Sequence, residues 1–324
     1  NLSNSLQIVV ACQFTFVKNS SNIFSLRILL QKTECAAMLT SISERLQDRF
    51  DSLTRAERQL VAVITENYPV SGLGSITSLA ERAQVSTPTV ARLVQKIGFK
   101  GFPEFQAQLR SELEATISGP IAKHDTWAEA VPDSHILNQF TEAVMSNIKT
   151  SIGQINTETF DQCCTLLADK ERAIYVVGGR ITRAMADYFF LHMQVIRPGI
   201  THIQAISNAW PHYLLNIERG DVVVIFDVRR YENSTLKLAE LAAAKGAEII
   251  LVTDQWVSPV SKYTKRVFSS KITVPSAWDS SVTTLLLLET IIAQVQQATW
   301  PETRSRMQEL EAMFDDTKFF RKFT

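Results

Sequence analysis

Several things are scarce in this sequence, and each scarcity excludes a class. Lys and Arg number 33, and so do Asp and Glu. With no net charge, any attraction to nucleic acid or to an anionic membrane must come from a local patch. The only cysteines are Cys12, Cys35, Cys163 and Cys164, with no CxxC spacing. That excludes a dense disulfide framework and points to a reducing compartment, so the chain is expected in the cytoplasm. The longest apolar runs, IVVACQFTFV near the start and LLLL at 285–288, are shorter than the roughly 18–20 residues of a membrane helix, and Glu289 ends the second. No basic segment precedes the first run, so no signal peptide is expected. HExxH, a Cys/His cluster with zinc spacing, a P-loop and GxSxG are all missing, which leaves metal, nucleotide-hydrolysing and serine-hydrolase chemistry without support.

What is present is an ordinary globular composition, 45% AVILMFWYC and 20% charged over 324 residues, long enough for two domains. Residues 1–37 show no sustained periodicity, whereas an amphipathic helical pattern begins at Met38. We expect 1–37 to be an upstream or poorly ordered extension and Met38 the natural start. Within 38–115, Leu53, Ala56, Leu60 and Ile64 recur at helical spacing behind a Thr54/Glu57 capping box. Ser75 opens a second short helix, ITSLAERAQ. Ser86 opens a third, STPTVARLVQKIG, with Pro88 in its first turn and Gly98 as its stop. Three short helices with a tight turn between the last two make a helix-turn-helix.

On the third helix Thr89, Arg92 and Lys96 are expected on a basic face opposite the apolar set Val90, Leu93, Val94 and Ile97. An exposed Arg can grip a guanine edge through two parallel hydrogen bonds, and Thr or Lys suits base or phosphate contacts. Lys100, just beyond, would lie near the DNA backbone. A plain solvated helix face has the same pattern, so the face alone does not decide.

Glycine and proline at 119–120 and Pro132 interrupt the helical text, placing a linker at 116–134. From 135 to 299, apolar runs AIYVVG, THIQAI, DVVVIFD, AEIILVTD and RVFSSKITV alternate with helical patterns. Strands apolar on both faces imply a parallel sheet covered by helices on both sides, and 300–324 adds a charged C-terminal helix. Gly178 and Gly179 end the first strand and Thr182 opens the next helix, where such a sheet offers free backbone N–H groups to an anion. The spacing GGRITR is not GxGxxG, so no NAD or FAD is expected, nor any other cofactor. Gly-Gly could equally serve only the tight turn.

The stretch LTRAERQLVAVITENY…SITSLAERAQVSTPTVARLVQKIGFKGFPEF resembles the N-terminal domain of the RpiR family of bacterial transcriptional regulators, with the Gly98-Phe99-Lys100-Gly101-Phe102 tail its most specific feature. The resemblance implies a DNA-reading helix bearing Ser86, Thr87, Thr89, Arg92 and Lys96, with Thr77 and Lys100 beside it. Residues 38–118 balance nine basic against nine acidic side chains, so specific binding to a double-stranded operator would need dimers on paired half-sites.

The element order after 135 is similar to the SIS (sugar isomerase) domain, which implies a five-stranded αβα unit, a phosphosugar site and a homodimer or homotetramer. Gly178 and Thr182 match the family's G-x-G-x-S loop, with Arg180 in place of the second glycine. Where the family carries S-x-S-G-x-T, this chain has Asp227-Val228-Arg229-Arg230-Tyr231-Glu232. The hydroxyl cradle is gone. Arg180, Arg229 and Arg230 would attract an anion and Asp227 could accept from a hydroxyl; alternatively, Asp227 and the arginines merely fix the loop. Ser280 and Ser281, after Asp279, either meet the ligand or cap the last long helix.

The chain is thus expected to be a non-enzymatic, DNA-binding regulator controlled by a small anionic metabolite. A sugar-phosphate isomerase with an accessory helical domain is the alternative, as is a SIS-derived oligomerisation module without ligand. An isomerase needs a His or Glu base at the sugar. His192 in a helix, His202 in a strand and His212 in a loop stand in no motif that assigns one, and Glu289 is read as a solvent-facing helix residue. Cys163 and Cys164 are read as buried helical thiols.

Overall fold

A computed structural model describes residues 41–66, 68–117, 119–121, 123, 135–204 and 206–320. The expected extension 1–37, the expected start at Met38 and most of the expected linker lie outside the described residues.

Among the described residues, the N-terminal part holds α1 (Ile42–Asp48), α2 (Arg55–Glu66), α3 (Ile76–Arg82), α4 (Thr87–Lys96) and α5 (Phe102–Ile117). Thr54 and Glu57 close the capping box at α2, Glu57 Oε2 accepting from the Thr54 N–H at 2.8 Å. Ser75 Oγ accepts from the Ser78 N–H at the start of α3. Ser86 occupies the cap position of α4 but makes no capping bond; its hydroxyl pairs with Thr89 Oγ1 at 2.9 Å instead. Gly98 ends α4 with φ +95°, a conformation open to glycine. Beyond it Phe99 and Phe105 meet edge to face, so the GFKGF tail folds α5 back onto the helix-turn-helix core of Leu60, Leu79, Val90, Leu93 and Leu109.

The larger part begins with α6 (Ile136–Gln154) and α7 (Thr157–Ala168). It continues β1 (Ile174–Gly178), α8 (Arg183–Ile196), β2 (Ile200–His202), α9 (Trp210–Asn216), β3 (Val222–Asp227), α10 (Asn233–Ala244), β4 (Glu248–Asp254), β5 (Arg266–Ser270), α11 (Val282–Ala298) and α12 (Trp300–Thr317). The five strands run parallel in the order β2-β1-β3-β4-β5. Alternate residues face opposite layers. Ile174, Val176, Val222, Val224, Phe226, Ile250 and Val252 pack against α7, α8 and α11, while Tyr175, Val177, Val223, Ile225, Ile249 and Leu251 pack beneath α9 and α10. Burial on both faces explains why these strands read as continuous apolar runs.

Arg197, which the sequence did not flag, is wholly buried. Its guanidinium donates to the carbonyls of Leu167 at 2.9 Å, Asp169 at 2.6 Å and Arg172. The end of α7 is thereby pinned to the end of α8. Cys163 and Cys164 are buried in α7, and burial pushes their thiols up to about 11 and about 12. His212 lies in α9 rather than in a loop, because Pro211 fits the first turn of that helix. Glu289 is exposed and accepts from Tyr188 Oη at 2.9 Å.

Candidate functional site

At about 100° per residue along a helix, the buried set Val90, Leu93, Val94 and Ile97 of α4 leaves Pro88, Arg92 and Gln95 on the far side, and these are the exposed residues. The expected face is therefore rotated. Thr89 sits at the edge of the core and is buried, its Oγ1 bonded to Ser86 Oγ and to Arg92 Nη2 at 3.3 Å. Lys96, on the opposite edge, donates to Glu57 Oε2 at 3.1 Å and to the Ser52 carbonyl at 2.7 Å. Ser86, Thr77 and Lys100 are exposed and Thr87 is half-buried at the start of the helix. Arg92 thus carries the exposed cation in the middle of the face, with Gln95 beside it, a position that the helical spacing of the apolar set already implies.

In the sheet, β1 connects outward to β2 on one side while β3 lies on the other. Strand order reverses there, and a crevice opens beyond the carboxyl ends of β1 and β3. A cavity of about 550 Å³ occupies it, lined by Gly179, Arg180 and Thr182 after β1, by Asp227, Arg229, Arg230 and Glu232 after β3, and by Asp279, Ser280 and Ser281 before α11. Gly178 does not line it. A Cβ there would stand 2.5 Å from the Thr182 carbonyl oxygen, so this glycine permits the turn into α8. Thr182 Oγ1 accepts from the Gly179 N–H at 2.9 Å and donates to the Phe226 carbonyl, tying the β1 loop to β3.

The loop after β3 is built on buried carboxylates in place of hydroxyls. Asp254, at the end of β4, accepts from the Arg229 N–H, Tyr231 Oη and the Trp256 N–H at 2.7, 2.7 and 2.9 Å. Burial raises its carboxyl above the usual range despite those bonds. Asp227 is also buried and accepts from Ser258 Oγ. Burial drives its pKa up to about 7, with the Ser258 bond pulling the other way. Glu232 turns its carboxylate onto Gly179 and accepts from the Arg180 N–H at 3.3 Å, so a side chain already fills the backbone cradle expected to meet an anion.

The three arginines divide. Arg229 is committed: Nε and Nη2 grip the two oxygens of Asp279 at 3.0 and 2.6 Å, and the guanidinium lies 4.0 Å over the Trp256 ring. Its remaining arm donates to the Ala115 carbonyl near the end of α5. All three arms of its guanidinium are thus engaged within the chain, the arrangement expected if the arginine fixes the loop and not the one expected of an open anion receptor. Arg180 and Arg230 are exposed at the cavity and their guanidinium groups have no ion-pair partner among the described residues. Ser280 Oγ accepts from the Val282 N–H, a capping bond, whereas Ser281 makes none.

Sequence reading missed Lys123 and Asp279 as partners. Helix α5 continues to Ile117, past the expected start of the linker, and Pro120 and Lys123 from that stretch line the cavity. Lys123 forms an ion pair with Asp279; burial pulls its ammonium below the usual range, Asp279 partly restoring it. Trp278 and Ile181, both exposed, complete the walls. In all, four basic and three acidic side chains line the cavity.

By architecture the chain is a helix-turn-helix domain joined to a doubly wound α/β domain with a cation-lined crevice. Residues 40–116 match the helix-turn-helix domain of the rpiR family and residues 166–294 match the SIS domain. The chain belongs to the RpiR family of helix-turn-helix transcriptional regulators that carry a SIS domain. Among curated relatives, the HTH-type transcriptional regulator HexR of Pseudomonas aeruginosa is 25% identical over 223 residues, spanning 66% of this chain and 74% of that protein. A bifunctional protein glk of Burkholderia mallei is 28% identical over 223 residues, of which this chain spans only 33% of the length. Among solved structures, the sugar isomerase domain of an RpiR transcription factor from Sphaerobacter thermophilus shares the fold with TM-score 0.51 and 18% identity, covering 54% of this chain and 97% of that one. No helix of the described residues is long and apolar enough to cross a membrane.

Proposed function

We propose that this regulator binds a double-stranded DNA operator as a homodimer or homotetramer in the cytoplasm. In this reading a small anionic metabolite, a phosphosugar or sugar acid, controls it from the cavity between β1 and β3. Arg92 reads a base edge in the major groove, Gln95 and Thr87 lie beside it, and Ser86, Thr77 and Lys100 serve the backbone. Lys96 and Thr89 hold the helix in place.

The observation that carries the effector reading is a pair of exposed guanidinium groups, Arg180 and Arg230, without an ion-pair partner among the described residues, in a cavity of about 550 Å³ at the switch point. A planar guanidinium takes a carboxylate or phosphate through two parallel bonds. Trp278 and Ile181 supply apolar walls for a carbon skeleton, and Thr182, Ser280 and Ser281 supply polar atoms for hydroxyls. Binding acts by shifting the population of domain arrangements, limited by the effector's differential affinity for them.

A thermal-shift screen of the full chain against phosphosugars, sugar acids and other small carboxylates tests this, since a ligand that binds only the folded state must raise its apparent stability. A saturable shift in the wild type that disappears in Arg180→Ala/Arg230→Ala is expected. Equal shifts in both proteins refute the assignment. An effector-free oligomerisation domain is a second reading, favoured by the carboxylates of Glu232 and Asp279 that already answer cradle and cation from within the chain.

A further inference from the structure

We infer that Arg229 and Lys123 form a second anion subsite, now occupied by the chain's own Asp279, through which an acidic group entering the cavity is felt by the DNA-reading domain. The inference rests on the effector reading above and specifies how that site is wired.

Asp279 behaves as a bound ligand would. It stands just before α11 and lines the cavity, with a carboxylate held by two cations from different parts of the chain. Arg229 grips it through Nε and Nη2, the bidentate geometry used for free carboxylates and phosphates. Lys123 approaches from a segment 156 residues away in sequence. Arg229 also reaches the N-terminal domain, and Lys123 stands on the chain that leaves it. The third arm of Arg229 donates to the Ala115 carbonyl in the last turn of α5, and Lys123 follows that helix in the chain. Helix α5 is no loose tether, because its Phe105 and Leu109 are fully buried in the core that supports α4.

Competition follows from this geometry. An oxyanion, carboxylate or phosphate, that displaces Asp279 draws Arg229 and Lys123 toward the cavity. The bond to Ala115 then changes with it, at the end of a helix packed beneath the recognition helix. Arg229 is stacked on Trp256 and nearly enclosed, so the anion must take the place of Asp279 on the cavity side.

The test is phosphate titration of the full chain by calorimetry at pH 7, comparing wild type with Asp279→Asn, Asp279→Ala and Asp279→Glu. Removing the internal carboxylate should raise the affinity for inorganic phosphate at least tenfold in the Asn and Ala variants. Asp279→Glu should stay near wild type, and adding Arg229→Gln should cancel the gain. Damage to the fold does not produce such a gain. Hydrogen exchange at the last turn of α5 should quicken in Asp279→Asn while the Leu93 and Val94 amides of α4 are unchanged. No gain in phosphate affinity overturns the inference. If Asp279→Asn gains affinity while no sugar phosphate or sugar acid stabilises the wild type, the subsite stands and the effector reading falls. If such compounds stabilise the wild type but Asp279→Asn binds phosphate no tighter, the subsite falls alone.

Discussion

Replacing Asp227 with Asn should flatten the pH dependence of stability between pH 4 and pH 8. The carboxyl is buried, and burial lifts its pKa to about 7 from an ordinary 3.8. Because the folded-state value is the higher one, the folded protein holds the proton over that interval and the unfolded chain does not. Wild-type stability from this group is therefore fully present below pH 4 and is lost as pH rises through 7. At about 1.4 kcal/mol per pH unit, the ionised form costs the fold about 4 kcal/mol by pH 8. For a domain of this size that corresponds to a fall of roughly 10 °C in Tm. Asn keeps an oxygen for Ser258 Oγ and cannot ionise, so the Tm of the variant should gain steadily on the wild type as pH is raised. Thermal melts at half-unit steps from pH 4.5 to 8.5 measure the difference, which includes the easing of repulsion on Asp254, the neighbouring carboxyl whose charge helps to raise Asp227. Parallel melting curves would refute the burial argument. The same ionisation adds a negative charge to the cavity lining, so a sugar acid should bind more weakly at pH 8 than at pH 6 in the wild type and nearly equally in the variant.

Two further substitutions test other parts of the account. Arg92→Ala should weaken operator binding by about 1–3 kcal/mol and relax the preferred base at one position, whereas Lys96→Ala should lower stability by releasing Glu57 and leave base preference intact; binding to a duplex selected from a random library, with single-base variants, separates the two. Arg197→Met should destabilise the α/β domain by about 3 kcal/mol, because buried carbonyls left without a donor cost about 1–3 kcal/mol each. Urea denaturation measures that loss, and an unchanged midpoint would mean that water replaces the guanidinium.

The fold was legible because its signals are local. Caps at Thr54 and Ser75, the stop at Gly98 and five apolar runs each fix a short segment without help from distant residues. The cavity was legible in outline for a related reason: loops at the carboxyl ends of β1 and β3 must meet where strand order reverses. What stayed hidden were pairings made across the chain. Nothing local to Arg229 distinguishes a guanidinium facing an anion from one facing Asp279, 50 residues away. Lys123 sits in a stretch whose Gly119-Pro120 reads as a linker, and only the packed structure brings it to the cavity. The face of α4 is a different case. Thr89 and Lys96 lie only about a quarter-turn to a third of a turn from the centre of the apolar face, so a wheel drawn from Val90, Leu93, Val94 and Ile97 already puts Pro88, Arg92 and Gln95 opposite.

Coupling between the two domains is the central claim, and DNA affinity with and without effector tests it most directly. The full chain would be titrated with a duplex selected from a random library, in the presence of each sugar phosphate or sugar acid that stabilises it. The account predicts that at least one such compound changes DNA affinity several-fold in the wild type and has no effect on Arg180→Ala/Arg230→Ala, whose ligand-free affinity is unchanged. A compound that binds the cavity while DNA affinity stays constant, or a double variant that responds like the wild type, would contradict it.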